Sequence, residues 1–372
     1  MIDELKEVFE LATGATTLIN EILKLKKNNK KQNKDDAIIS SKGNYAKIGS
    51  SGYYAKIGSS GYSAKIGSSG NSAQIGSSGD YAKIGSSGYS AKIGSSGYSA
   101  KIWSSGYSAQ IGSSGDYAKI GSSGDYAKIG SSGNYAKIGS SGYSAKIGSS
   151  GNSAQIGSSG DYAQIDSTGT KAVISGIGFK TIAKGKIGSW ITLAEYKEEN
   201  NIWVVDFVKT EQIDGERIKE DTYYTLYNHD FVEVQIIDDV KTIILNRKKN
   251  VIKGLFLNNL EPCYVVEKDG VYSHGSTLKE AKDSLIYKIS NRDTSMYESY
   301  TLETVVTFEE AIKMYRVVTG ACEAGTRNFI EHLNKKKKKY TVAEIIKETA
   351  EQYGNETFKE FFERCCNMER LK

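Results

Sequence analysis

The chain has 372 residues, with 39 glycines, a single proline and a formal net charge of +5 at pH 7. This length predicts roughly two to four folded units. Abundant glycine at regular spacing with almost no proline excludes a disordered Pro/Gly-rich linker. No apolar stretch reaches the length of about 18 residues that predicts a membrane-spanning helix.

We expect residues 1–32 to form an amphipathic helical cap and a polar linker. Apolar residues recur at helical spacing between Leu5 and Leu25, as in a helix that covers the end of a repeat protein. The acidic start lacks the basic region and apolar core of a signal peptide. The 4 cysteines include no CxxC pair, so we expect a cytoplasmic protein without a disulfide framework, metal or cofactor.

Residues 33–175 are predicted to form a β-solenoid. A nine-residue unit such as GSSGYSAKI recurs about fifteen times between Gly43 and Ile174. In each unit Ala and Ile stand two residues apart and share one face of a short strand. The Lys or Gln between them points to the other face, and the Gly-Ser-Ser-Gly segment forms a turn in which glycine supplies a positive φ. One such strand buries nothing alone, but stacked copies do.

We expect two units per coil and therefore about seven coils, with Ala and Ile of opposite walls meeting inside. Three units per coil, which would give a triangular and shorter prism, is the alternative. The period invites comparison with the calcium-binding repeat GGxGxDxUx. The position that should hold Asp is Tyr or Ser here, as in Tyr81 and Ser90, and a calcium roll needs a carboxylate in nearly every turn.

Rows of lysine and tyrosine are the candidate binding surface of the solenoid. The structural interpretation is a tyrosine ladder that stabilises the stack, with lysines that oppose lateral aggregation. The functional interpretation is a surface for bases and phosphates, or for an acidic protein. The candidate residues are Lys47, Lys56, Lys65, Lys83, Lys92, Lys101, Lys119, Lys128, Lys137, Lys146, Tyr81, Tyr89, Tyr98, Tyr107, Tyr117 and Tyr126.

Two further domains are predicted after the repeats. Residues 176–247 read as a β-rich cap, with Trp190 and Trp203 in its core. Residues 248–372 read as an α+β domain that is mostly helical, with a hairpin that turns at Asp269-Gly270. The helices are expected at about 278–290, 308–318, 342–353 and 356–370, the first three after capping boxes at Thr277/Glu280, Thr307/Glu310 and Thr341/Glu344.

Segments outside the repeats resemble known sequences. GSWITLAEY, IDGERIKEDTYYTL, TGACEAGTR and YGNETFKEFF are similar to segments of phage and prophage repeat proteins whose activity is not assigned. Those proteins often carry Gly-Ser/Asp-Tyr-Ala repeats ahead of the same cap. The resemblance implies a phage or mobile-element protein made in the cytosol of a bacterial host, and it carries no activity over to this chain.

Cys322 is the candidate nucleophile, with His274 or His332 as its base. Against catalysis, Cys322 follows VVTGA, where a helix is expected to end, and the dipole at a helix C-terminus disfavours a thiolate. The 3 histidines are also widely spaced in the sequence. We therefore expect no catalytic and no metal site. The basic run Lys335, Lys336, Lys337, Lys338 and Lys339 is expected to be a solvated loop, with a secondary phosphate contact as the alternative.

The sequence leads us to expect a non-enzymatic binding protein of phage type. Its partner would be a host protein, such as a defence nuclease of an RNA-guided system, inhibited by surface occlusion through the solenoid or the C-terminal domain, in an anti-CRISPR-like manner. The alternatives are direct nucleic-acid binding along the Lys/Tyr rows, a structural virion or surface protein, and a cysteine hydrolase. No membrane partner is expected, and self-association into a homo-oligomer stays open.

Overall fold

The computed structural model describes residues 31–32, 34–290, 292–331, 333, 336–350 and 352–369. They belong to two compact units that divide between Val232 and Glu233. The helical cap predicted for residues 1–32 lies outside the described residues, except for the short strand Lys31–Gln32. Among the described helices, none has the length and apolar character needed to cross a bilayer.

The repeats form the predicted β-solenoid, with two units per coil. Its short parallel strands alternate between two sheets, and each pairs with the second strand after it in the chain, as Ile111 does with Ile129. Eighteen strands at two per coil make nine coils. The expected number was about seven coils, because the units at Lys31–Gln32, Ala37–Ser41 and Ile182–Lys184 depart from the repeat pattern and were not counted.

The solenoid strands run in chain order from β1 to β18. Odd-numbered strands form the first sheet and even-numbered strands the second. Their bounds are β1 (Lys31–Gln32), β2 (Ile38–Ser41), β3 (Lys47–Ser50), β4 (Lys56–Ser59), β5 (Lys65–Ser68), β6 (Gln74–Ser77), β7 (Lys83–Ser86), β8 (Lys92–Ser95), β9 (Lys101–Ser104), β10 (Gln110–Ser113), β11 (Lys119–Ser122), β12 (Lys128–Ser131), β13 (Lys137–Ser140), β14 (Lys146–Ser149), β15 (Gln155–Ser158), β16 (Gln164–Ser167), β17 (Val173–Gly176) and β18 (Ile182–Lys184).

The core of the solenoid is thin and consists of the alanines and isoleucines that the sequence pattern predicts. Ala118 and Ile120 are fully buried, because residues two apart in a strand face the same side. The serine two residues after the isoleucine also faces inward. In strands β3, β5, β7, β9 and β11 of the first sheet it accepts a hydrogen bond from a turn glycine, as Ser122 Oγ does from Gly124 N at 3.4 Å.

The prediction that glycine supplies the positive φ of the turn is wrong. The left-handed residue is the second one after the turn glycine, a Tyr or Ser such as Tyr117 at φ 57° or Ser99 at φ 52°. This conformation costs an ordinary residue roughly 1–2 kcal/mol. The cost is offset because the N–H of each such residue donates to a carbonyl of the next coil, as Ser99 N does to Asp116 O at 2.8 Å.

The turn glycine is required by close packing between coils. A Cβ on Gly115 would lie 2.0 Å from the carbonyl oxygen of Gly97, the equivalent glycine of the preceding coil. The same contact recurs along both edges of the solenoid. The glycine inside each strand of the second sheet is different, because a Cβ on Gly112 meets nothing within 4 Å.

These two glycines give a matched test of what holds the coils together. Gly115→Ala should destabilise the protein by about 3 kcal/mol, the upper end of the usual cost of overpacking, because backbone must move in two coils. Gly112→Ala should leave stability within about 0.5 kcal/mol. Denaturant unfolding followed by circular dichroism measures both, and equal stability of the two variants would contradict the packing role.

The first unit ends in longer strands that follow the solenoid. β19 (Trp190–Glu199) pairs parallel with β17 and antiparallel with β20 (Ile202–Gln212), and β20 is the last strand of the first sheet. β21 (Tyr223–Tyr227) pairs antiparallel with β18. The prediction that Trp190 and Trp203 form a core is wrong, since they are 42% and 46% exposed. Smaller residues fill this part of the core: Ile191, Leu193, Ile213, Ile218, Tyr224, Leu226 and Phe231.

Strand β22 (Asp230–Ile237) carries the chain into the second unit, where an antiparallel meander continues. It comprises β23 (Val240–Lys248), β24 (Val251–Phe256), β25 (Pro262–Lys268) and β26 (Val271–Gly275). The predicted hairpin at Asp269-Gly270 joins β25 to β26. The predicted domain boundary at 247/248 falls within the paired strands β23 and β24, whereas the two units divide before these strands, after Val232.

The helical part of the second unit contains five helices and a two-stranded sheet within the described residues. They are α1 (Leu278–Ile289), β27 (Val305–Thr307), α2 (Phe308–Thr319), α3 (Glu323–Glu331), β28 (Lys339–Thr341), α4 (Val342–Glu348) and α5 (Asn355–Glu369), with a 3-10 turn at Ser295–Tyr297. Thr277, Thr307 and Thr341 are N-caps as predicted, and Thr341 with Glu344 forms the full capping box. Helix α3 was not predicted, and α4 ends earlier than expected.

Candidate functional site

The predicted lysine row is in fact two rows on opposite sheets. Because each strand pairs with the second strand after it, successive units alternate between the sheets. The first sheet carries Lys47, Lys65, Lys83, Lys101, Lys119 and Lys137, which are half-buried, and the second carries Lys56, Lys92, Lys128 and Lys146, which are exposed. Glutamine takes the same position at Gln74, Gln110 and Gln164.

The exposed lysines border a shallow trough on the second sheet, which we call the lysine trough. It has a volume of about 1050 Å³ and runs from Ile38 to Asp166. Its floor is formed by strand glycines where an added Cβ would meet nothing within 4 Å, or only touch a backbone oxygen at that distance, namely Gly58, Gly76, Gly94, Gly112, Gly130 and Gly148. The equivalent glycines of the first sheet are mostly buried, and Trp103 replaces one of them.

The predicted tyrosines also form two rows, one along each edge of the solenoid. The first-edge row is Tyr45, Tyr62, Tyr81, Tyr98, Tyr117 and Tyr135, with ring centroids 5.0–5.9 Å apart. The second-edge row is Tyr89, Tyr107, Tyr126, Tyr143, Tyr162 and Phe179, with centroids 5.0–5.7 Å apart. Tyr81, Tyr98 and Tyr117 therefore lie on one edge, and Tyr89, Tyr107 and Tyr126 on the other.

The aspartates beside the tyrosines bind the backbone of the next coil. Asp125 Oδ1 accepts a hydrogen bond from Tyr143 N at 2.8 Å, and Asn134 Oδ1 does the same for Asn152 N at 3.0 Å. This use explains why Asp or Asn occupies the first position after many turn glycines and leaves the second position to Tyr. The carboxylates are therefore structural parts of the turns.

The second-edge row continues beyond the repeats into β19 and β20. The Phe179 ring lies 4.6 Å from that of Trp203 and 5.6 Å from that of Tyr196. Lys180 Nζ lies 4.4 Å from the Phe179 centroid, and burial lowers the pKa of this lysine. The first-edge row has no such continuation among the described residues. One coil after Tyr135, the two positions that could hold a tyrosine are Asn152 and Ser153.

Strand β20 exposes an unusual amount of apolar surface. It is the edge of the first sheet and carries exposed Ile202, Trp203, Val205, Phe207 and Val208. The backbone of an edge strand has unpaired N–H and C=O groups, which makes it a template for another chain. Together, the second-edge row and β20 form one continuous surface, which we call the aromatic edge.

The structure brings together two predicted catalytic candidates, Cys322 and His274, and adds Asp238. One ligand atom from each lies within 4.8 Å of the other two. The sequence placed Cys322 at the C-terminal end of a helix, where the dipole disfavours a thiolate. In the structure, α3 begins at the next residue, and Gly325 N donates a hydrogen bond to Cys322 Sγ at 3.3 Å. The other proposed base, His332, lies outside the described residues.

The surroundings of this cluster are buried and include one ion pair. His274 is fully buried and its Nε2 lies 3.0 Å from Thr242 Oγ1. Burial, and secondarily the positive charge of Lys288, lowers the pKa of His274 to about 4. Lys288 Nζ lies 2.6 Å from Asp238 Oδ2, yet burial raises the pKa of Asp238 overall.

The basic run at residues 335–339 is exposed where the structure describes it. Lys335 lies outside the described residues, while Lys336, Lys337, Lys338 and Lys339 are exposed. Lys337 Nζ forms an ion pair with Glu344 at 2.9 Å, at the start of α4.

No protein family, curated protein or solved structure matches this chain. The sequence predicts a strand at IWVVDFVKT but not its exposure, and it gives no sign of Asp238. The signal for the exposure of β20 was present, because this strand has apolar residues at neighbouring positions, which one buried face does not require.

The structural role of the turn aspartates can be tested at Asp125. Asp125→Asn should change stability by less than about 0.5 kcal/mol, because Asn134 makes the same bond naturally and surface changes of this kind cost little. Asp125→Ala should cost about 1 kcal/mol, the usual net value of a hydrogen bond. Thermal and denaturant unfolding of the two variants measure this, and an Asn variant as unstable as the Ala variant would argue for a charge-dependent role.

Proposed function

We propose that this protein acts by binding a partner protein through the aromatic edge. The observation that carries the proposal is the unbroken row of rings from Tyr89 to Trp203, which joins the exposed apolar strand β20. Consecutive ring centroids in that row are 4.6–5.7 Å apart. This surface joins the stacked rings to an edge strand that exposes apolar side chains.

The chemistry of this surface suits a protein partner. Tyrosine and tryptophan are enriched in protein interfaces and contribute a large share of binding energy. The solenoid holds these side chains in a fixed stack, so little conformational entropy is lost on binding. Strand β20 can also accept a further strand from the partner through its free backbone groups.

The resemblance to phage proteins suggests which partner to test first. A phage protein made in a bacterial cytosol meets host defence effectors, and the proposal is that this chain inhibits one of them, such as a nuclease of an RNA-guided system. Inhibition would come from occlusion, because a surface that follows the solenoid from Tyr89 to β20 covers a wide area of its target.

A binding role is favoured over hydrolysis at Cys322. Cys322 and His274 are buried, and the cavity beside Cys322 has a volume of about 40 Å³. Substrate pockets usually hold roughly 300–1,000 Å³, so this cavity accepts a water molecule and little else. In addition, a histidine with a pKa of about 4 is a weak base for a thiol.

Affinity capture from host lysate tests the proposal, with and without nuclease treatment. The test variant is Tyr107→Asn/Tyr143→Asn on the second edge, and the matched control is Tyr62→Asn/Tyr98→Asn on the first edge. Asn occupies the same position of the unit at Asn71 and Asn152, so both variants should fold. We expect the control to capture a host protein even after nuclease treatment. The test variant should bind that protein about tenfold more weakly, which corresponds to ~1.4 kcal/mol. Equal capture by both variants would refute the proposed surface.

Nucleic-acid binding in the lysine trough is the second candidate function. It is favoured by the exposed row Lys56, Lys92, Lys128 and Lys146 beside an open glycine floor. Phosphates could approach these lysines without steric hindrance, and affinity would then depend steeply on salt.

Replacing these four lysines by Gln, the residue that occurs naturally at Gln74 and Gln110, tests this candidate. For single-stranded DNA, the plot of log affinity against log salt concentration should become less steep. Its negative slope should shrink by about 3, since each lost phosphate contact contributes about 0.7. The control replaces Lys47, Lys65, Lys83 and Lys137 of the first sheet. An unchanged slope in the trough variant would exclude the trough as the binding site.

A further inference from the structure

We propose that Asp238, His274 and Cys322 form a site for a divalent transition metal ion of the zinc type. A carboxylate oxygen, a ring nitrogen and the sulfur lie within 4.8 Å of one another. The site lies in the second unit and shares no residue with the proposed binding surface. From the wide spacing of the histidines in the sequence we expected no metal site. The fold brings Asp238, His274 and Cys322 together although they lie far apart in the chain.

The triangular arrangement suits a metal better than a catalytic triad. In a triad the imidazole lies between the nucleophile and the carboxylate, so these two groups are on opposite sides of the ring. Here each ligand atom is near both others. Bonds of about 2.0–2.3 Å in tetrahedral geometry place ligand atoms about 3.3–3.8 Å apart, so closure by roughly 1 Å completes the site.

The histidine supplies the independent observation for a ligand. His274 is fully buried, and its Nδ1 has no hydrogen-bond partner among the residues that the structure describes. Buried polar atoms without a partner are uncommon and costly. Nε2 is already placed beside Thr242 Oγ1 at 3.0 Å. A histidine whose second nitrogen is held in this way, with the first left free, is the usual arrangement of a metal ligand.

The other two ligands are also oriented for the same role. Cys322 precedes α3, and Gly325 N donates to its Sγ at 3.3 Å, which stabilises negative charge on sulfur. Lys288 Nζ lies 2.6 Å from Asp238 Oδ2, which fixes the orientation of the carboxylate. The thiolate and the carboxylate together balance the charge of a divalent ion, and Lys288 adds one positive charge beside Asp238.

The donor set and the adjoining cavity indicate the kind of ion and its fourth ligand. Sulfur with imidazole selects zinc-type ions over calcium or magnesium, which prefer oxygen. The cavity of about 40 Å³ is lined by Asp238 and Cys322 together with Tyr315, Phe329 and Tyr353. This volume holds about one water molecule, which would complete a tetrahedral shell.

Metal titration of the full chain tests the proposal. After removal of metal with a chelator, the protein is titrated with Zn²⁺ and, as a spectroscopic probe, with Co²⁺. We expect one tightly bound equivalent by elemental analysis and a thiolate-to-cobalt charge-transfer band. Cys322→Ser should abolish the band, whereas Cys263→Ser, which removes another buried cysteine, should leave it unchanged.

A second variant keeps the proposal testable if Cys322→Ser does not fold. Thr242→Val removes only the partner of His274 Nε2 and should weaken metal binding about 10–100-fold. Absence of both a bound equivalent and a charge-transfer band in the wild-type protein would overturn the proposal. Equal binding by wild type and Cys322→Ser would overturn the assignment of sulfur as a ligand.

Discussion

The close approach of turn glycines between coils is the constraint on which the first unit depends. A Cβ at Gly115 would lie 2.0 Å from the carbonyl oxygen of Gly97, so each coil rests directly on the backbone of the one before it. That contact sets the stacking distance at which aromatic rings meet at 5.0–5.9 Å along both edges. It also aligns each isoleucine with its counterpart in the next coil. The aromatic rows and the lysine trough are therefore consequences of one backbone contact repeated along the solenoid.

The parts of the solenoid that could be predicted from sequence are the local ones. The spacing of Ala and Ile defines an inward strand face whether a coil contains two units or three. The period itself does not choose between these two arrangements, and the structure has two units per coil. The positions of individual lysines and tyrosines could not be predicted, because one nine-residue unit does not say which sheet or edge it joins. Glycine's role was misassigned for the same reason: its contact is with a glycine of the neighbouring coil, while positive φ falls on Tyr or Ser.

In the second unit, helix starts such as Thr341 with Glu344 were predictable because a capping box is a local signal. Helix α3 was missed because GACEAGTR has no such N-cap residue, and with it the favourable position of Cys322. Asp238 follows a strand and lies far from both His274 and Cys322 in the sequence, so no spacing rule joins them. Trp203 was assigned to a core because tryptophan is usually well buried. Its exposure beside Phe179 is instead what distinguishes the aromatic edge.

Hydrogen–deuterium exchange of the captured complex tests the central claim most directly, because it reports where the partner lies. If the aromatic edge is the binding surface, amides of Ile202–Gln212 and of the second-edge turns near Tyr107 and Tyr143 should become protected on binding. The first-edge turns near Tyr62 and Tyr98 should exchange as in the free protein. Protection confined to the strands of the lysine trough, or to the second unit, would contradict the account.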